Sequence, residues 1–200
     1  GVQTDVQVKF IADENAADPD RLVTAARPNT SATMATTTFL GGGARNVTVT
    51  TTGTGDNGKT CTVTGTDVFG NAMTEVITST GSAEAVAGAK LFLTVSAVEC
   101  SAQYAANITV GSGSLCASEV AGGGRTRLKG YSIVSAGTAG LVDFYNGTPE
   151  DGTIIFKAQT IGTDNSTVDN TIPDEGMLFK SGLAVGYTVA TVVLANVFFA

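Results

Sequence analysis

Valine and threonine alternate through long stretches of this chain, and glycine breaks the alternation at short intervals. In Asn46-Val47-Thr48-Val49-Thr50 the valines fall on one side and the threonines on the other, the period of two that belongs to a strand with one face buried. Two further runs follow, Thr60-Cys61-Thr62-Val63-Thr64 and Thr74-Glu75-Val76-Ile77-Thr78. Asp56-Asn57-Gly58-Lys59 and Asp67 to Asn71 supply the turns between them, which predicts a three-strand meander. Leu91 to Val98 and Asn107 to Val110 continue the rhythm with Gly81, Gly88 and Gly111 between them, spacing that suits a small sandwich.

The Ala121-Gly122-Gly123-Gly124 run predicts a domain boundary, because ordering glycine costs the most backbone entropy and the strand pattern stops and restarts there. Beyond it, strands are expected at Leu128 to Val134, Gly140 to Tyr145, Thr153 to Gln159, Thr171-Ile172, Met177 to Lys180 and Thr188 to Phe199. Asn146-Gly147 and Asp151-Gly152 are hairpin-type turn signals. Before the first sandwich, Gln7 to Ile11 alternates like a strand, and Asp18-Pro19-Asp20-Arg21 has the form of a helix start, predicting a short helix through Ala26. Asn29 to Thr38 is rich in Thr, Ser and Ala, and is expected either as an extended arm that wraps a neighbour or as an ordinary surface connection. The expectation is an all-β chain of two small antiparallel β-sandwich domains, Ig-like or jelly-roll-like, at 41–120 and 121–200, with a strand, short helix and arm at 1–40.

Composition removes most chemistry. The 200 residues include no histidine, and the usual general base for a serine or cysteine nucleophile is therefore missing. No lysine has a serine three positions before it, so the Ser-x-x-Lys alternative is absent too. Glu75, Glu84, Asp143, Glu150 and Asp151 show no pairing that would mark a glycosidase, and the chain reads as no enzyme. A net charge of -7 leaves no footprint for nucleic acid or anionic lipid. The longest apolar stretch, Val189 to Ala200, falls short of the roughly 20 residues that span a bilayer and reads as a buried strand. Gly1-Val2-Gln3-Thr4-Asp5 has no leader-like character.

Cys61, Cys100 and Cys116 form no CxxC pair, and they are expected as buried, inert thiols, with a Cys100–Cys116 bridge as the alternative. No metal or other cofactor is expected. The Asp164 to Asn170 loop has oxygen ligands enough for calcium, but Asx turns explain the same composition without one. Gly41 to Gly43 and Gly122 to Gly124 lack the Lys-Ser/Thr of a phosphate cradle and read as linkers.

The succession Arg45-Asn46-Val47-Thr48-Val49-Thr50, Thr62-Val63-Thr64-Gly65-Thr66-Asp67, Gly70-Asn71-Ala72 and Thr74-Glu75-Val76-Ile77 resembles a hairpin pattern of small virion proteins of tailed bacteriophages. Its continuation, Phe92 to Val98 and Asn107 to Gly111, matches as well, so the resemblance covers roughly residues 45 to 111. Ile172 to Leu183 looks like the end of small phage head proteins. The resemblance implies a virion structural protein, a capsid decoration or cement protein. Its partners would be the major capsid protein and itself as a homotrimer, with a location on the capsid exterior after synthesis in the bacterial cytoplasm. It implies no catalytic residues. A head fibre or receptor-binding knob gripping a host glycan is the alternative. For capsid contact the expected anchors are Arg21, Arg27, Met34, Phe39 and Leu40, apolar and guanidinium groups in an extended segment. For the oligomer interface or the core they are Val193, Val197, Phe198 and Phe199.

Overall fold

The computed structural model describes residues 5–12, 16–81 and 83–200; Gly1 to Thr4, on which the leader reading rests, lie outside the described residues. The strands in chain order are β1 Gln7–Ile11, β2 Val23–Ala26, β3 Ala44–Thr51, β4 Thr60–Thr66 and β5 Ala72–Thr78. Then come β6 Ala85–Phe92, β7 Thr94–Cys100, β8 Ile108–Ala121, β9 Thr126–Ser135 and β10 Leu141–Asn146. The last are β11 Thr153–Gln159, β12 Thr167–Thr171, β13 Met177–Phe179, β14 Leu183–Thr188 and β15 Val192–Phe199. The protein is all-β, as its periodicity predicts. Among the described residues the one helical element is a 3-10 turn at Thr54–Asp56, and no helix is long and apolar enough to cross a membrane.

Two compact units divide the chain: a central unit of residues 16–114, and a terminal unit made of 1–15 with 115–200. In the central unit one sheet joins β3 to β6 and to the first part of β8, with β2 on the other side of β8; the second sheet runs β5-β4-β7. Between them lies a core that includes Leu22, Val47, Val63, Phe92, Tyr104 and Ile108. The terminal unit has one sheet in the order β1-β15-β9-β12, with β13 also on β9, and another in which β10 lies between β11 and β14 and β14 pairs with the later part of β8. Leu128, Ile133, Phe144, Phe179, Leu183 and Val197 fill its core. Tyr131, Phe144 and Phe156 stack there with ring centroids 5.5–5.7 Å apart, the tilted spacing that aromatic quadrupoles favour.

Several expectations change at this level. The stretch before Ala26 is a strand, not a helix: Val23 faces Val110 on β8, and the Leu22 amide donates to the Val110 carbonyl at 2.8 Å. The β-branched Val23 and Thr24 suit that pairing better than a helical turn. The meander also breaks, because β3 joins the opposite sheet from β4 and β5, and both its faces are covered. The single strand read over Leu91 to Val98 is two, with a corner at Leu93 carrying the chain from one sheet to the other. Thr188 to Phe199 divides likewise, at a turn closed by the Thr191 amide and hydroxyl on the Thr188 carbonyl. The strand placed at Thr171-Ile172 begins earlier, at Thr167, out of the Asp- and Asn-rich loop. Gly122 to Gly124 lies within the terminal unit as the passage from β8 to β9, with Gly123 and Gly124 at φ 44° and 150°. The division between units falls inside β8, after Ser114.

Candidate interaction surface

Segment 27–40 runs along its own unit. Ser31 bridges Glu99 and Thr38 bridges Thr94 on β7, while the Ala32 amide donates to the Val98 carbonyl at 2.9 Å and the Val95 amide to the Thr37 carbonyl at 2.9 Å. The expected anchors serve this docking. Arg21 Nε donates to the Thr38 carbonyl at 3.2 Å, and Arg27 Nε to the Tyr104 carbonyl at 2.7 Å. Phe39 is buried in the central core and Met34 packs half-buried against it. Leu40 differs, standing 41% exposed. The structure thus places Arg27, Met34, Phe39 and Leu40 along one segment whose backbone hydrogen bonds go to its own unit, with Arg21 bonded to it from outside.

The C-terminal residues divide by the pleat of β15, since alternate side chains leave a strand on opposite sides. Val197 is fully buried, Phe199 packs half-buried on the same core, and Val193 is half-buried. Phe198 points the other way, 37% exposed, directly across from Val8 on β1. Val8, Phe10 and the preceding Val6 are each 57% exposed. Among the described residues β1 pairs only with β15, which makes it the edge of its sheet, and its outer backbone groups are a template for a further strand. A charged edge strand would discourage such pairing; this one offers Gln7 and a single cation, Lys9, among apolar residues.

Beside Phe198 the sheet surface dips into a depression of about 490 Å³, walled by Val6, Phe198, Ser132, Lys129, Asp169 and Asn170. Its rim is held rigidly, for the Lys129 ammonium donates to the Asp174 carbonyl at 3.0 Å, and β12 lies across β9 with Asp169 opposite Ser132. Next to it Arg127 pairs with Glu175 at 2.9 Å. An apolar wall with amide, hydroxyl and carboxylate groups beside it suits contact with a protein surface. The sequence signalled β1 as a strand but not its exposure, because an edge strand and a central one share the same alternation.

Other groups do not assemble into a site. The cysteines are free thiols, all buried; Cys100 lies opposite Cys61, whereas Cys116 belongs to the terminal unit opposite Tyr187, so the Cys100–Cys116 pairing is not formed. Among the described residues no group of three or more His, Cys, Asp or Glu comes together as a metal site. In the loop read as a calcium candidate, the Ser166 amide donates to the Thr163 carbonyl at 3.1 Å, the backbone bond of a turn, with Asn165 at φ 60°, and the Asn165 amide ties the loop to the Ser135 carbonyl at 3.0 Å. No family model matches the chain, and comparison with characterised proteins and with solved structures yields no match.

Proposed function

We propose that this protein is a non-enzymatic virion structural protein, a capsid decoration protein that sits on the exterior of a phage head as a symmetric trimer and stabilises the shell. The observation that carries the reading is the apolar edge of the terminal unit, Val6, Val8, Phe10 and Phe198, on a chain with no histidine. Edge strands with exposed apolar side chains are a hazard for a protein that stays alone, and burial in a symmetric assembly removes it. The hairpin motif resembling phage virion proteins supports the same reading. It forms here as β4 and β5 paired in continuous register from Thr60 opposite Thr78 to Thr66 opposite Ala72.

The major capsid protein is the proposed partner. Attachment runs through segment 27–40, docked on its own unit and not a free arm, with Leu40 as its exposed apolar contact. Immunogold electron microscopy on intact virions tests this directly. Label spread over the head is the expected result. Label confined to tail tips or projecting fibres would make the protein an adhesin, and unlabelled virions would remove the virion reading altogether.

A further inference from the structure

β4 and β7 run antiparallel with Cys61 directly opposite Cys100, and the two Sγ atoms stand 3.6 Å apart. Directly opposed residues of an antiparallel pair hold their Cα atoms about 4.5–5.5 Å apart, inside the range of roughly 4.4–6.8 Å that a disulfide spans. Reaching the bonded separation of about 2.05 Å asks the sulfurs to close by roughly 1.5 Å, a movement within reach of side-chain rotation. Tyr104 completes the cluster: its hydroxyl lies 3.2 Å from Cys61 Sγ and 3.1 Å from Ser79 Oγ. Cys61 is fully buried and Cys100 is 8% exposed at the end of its strand.

We propose that Cys61 and Cys100 are an oxidative cross-linking site, at which hydrogen peroxide converts the two thiols to a disulfide that ties β4 to β7. The roles of the two sulfurs differ. The hydrogen bond from the Cys100 thiol favours a thiolate at Cys61, overcoming the opposing effect of burial, and the Tyr104 hydroxyl adds to it. Cys100 is pushed the other way by the same hydrogen bond and by burial, and keeps its proton. With both the Cys100 sulfur at 3.6 Å and the Tyr104 hydroxyl at 3.2 Å around its Sγ to hold a thiolate, Cys61 takes the role of attacking sulfur in this proposal. Its thiolate attacks one peroxide oxygen, the O–O bond breaks, and hydroxide leaves to become water with the proton given up by the thiol. The product is a sulfenic acid at Cys61. Cys100 sulfur then attacks Cys61 sulfur, the S–S bond forms as S–O breaks, and the departing hydroxide takes the Cys100 proton as a second water. Two thiols have lost two electrons and one peroxide has gained them. The bridge joins residues 39 apart in sequence and encloses β5 and β6, so it restricts the unfolded central unit much more than the folded one.

The test uses the full chain, reduced, treated with hydrogen peroxide, then unfolded, alkylated and weighed. The expected product is lighter than the reduced chain by two hydrogens before alkylation, takes up one alkyl group at Cys116, and yields a peptide linking Cys61 to Cys100. Its Tm rises by on the order of 10 °C and returns on reduction. Cys116→Ser is expected to show the same rise, and Cys100→Ser none. Three alkylated cysteines, oxygen adducts at Cys61 without a link, or a bridge through Cys116 would each overturn the proposal, all read on the unaltered chain and independent of how the variants fold.

Discussion

Gly65 sits at the shift of register between β4 and β7, and a β-carbon there would press into the carbonyl oxygen of Thr94 and within 3.0 Å of the Phe92 ring. The obstacle is backbone, which cannot rotate away. Gly58 presents the opposite case, a φ of 76° with open space around it, so alanine there meets only the conformational penalty. Gly65→Ala is expected to cost about 3 kcal/mol or more, and Gly58→Ala about 1 kcal/mol, in urea denaturation. Equal losses would contradict the packing at the shift. Asp56 makes a second residue-scale prediction. It is fully buried, and its Oδ1 accepts from the Ala105 amide at 2.6 Å and from Lys59 Nζ at 2.8 Å. Burial alone raises its pKa, but the Ala105 amide and the Lys59 ammonium together hold it below the ordinary 3.8. A carboxyl lowered on folding contributes stability that is whole above its unfolded value and is lost as pH falls through the folded one. Asp56→Asn is therefore expected to destabilise by about 2 kcal/mol near neutral pH, with the gap to the parent narrowing below about pH 4. Urea midpoints at the two pH values measure it, and a gap that does not narrow would place the stabilising charge elsewhere.

At the scale of elements, the β4–β5 hairpin shows why some of this fold could be read from the chain. Asp67 Oδ1 accepts the amides of Phe69 at 2.8 Å and Asn71 at 2.9 Å, Oδ2 accepts Asn71 Nδ2 at 3.0 Å, and Gly70 takes φ 84°. Each of these residues does locally what its type does best, so the turn was visible without the partner strands. Asp67→Ala is expected to cost about 1–3 kcal/mol and to speed amide exchange at Phe69 and Asn71, with Asp67→Asn losing less because it keeps an acceptor. Unchanged exchange in the alanine variant would mean the turn holds without the carboxylate. β14 is the contrary example. Leu183 to Tyr187 are all buried, so no alternation marks the strand, and the sequence pattern predicts none between Lys180 and Thr188. β3 misleads more subtly: its valines and threonines alternate, yet Thr48 is buried as the valines are, and Arg45 is buried with Nε donating to the Gly113 carbonyl at 3.2 Å. Which sheet a strand joins depends on partners distant in sequence, and periodicity carries no record of them. The same limit hid the opposition of Cys61 and Cys100.

On the scale of the whole molecule, the apolar edge gives the proposed assembly its sharpest test. Phe10 is 57% exposed, so Phe10→Lys removes little packing within one chain, and its Tm is expected to stay within a few degrees of the parent. Its effect should fall on association, reducing the trimer to monomer in light scattering at micromolar concentration. Retention of the oligomer would move the interface away from β1. Removing the first forty residues would be a poorer test, because it takes away β1, β2 and the buried Leu22 and Phe39 together with any contact they make. The division of the chain has a consequence for the order of events during synthesis. The central unit is complete once Ser114 has been made, while β1, made first, pairs with β15, made last. A ribosome therefore releases a finished central unit well before the terminal one can close, and Val8 and Phe10 wait through most of translation without their neighbour. The interval before β15 arrives is when this chain is most open to pairing with the wrong partner, so its yield should depend on the speed of elongation through the last strands.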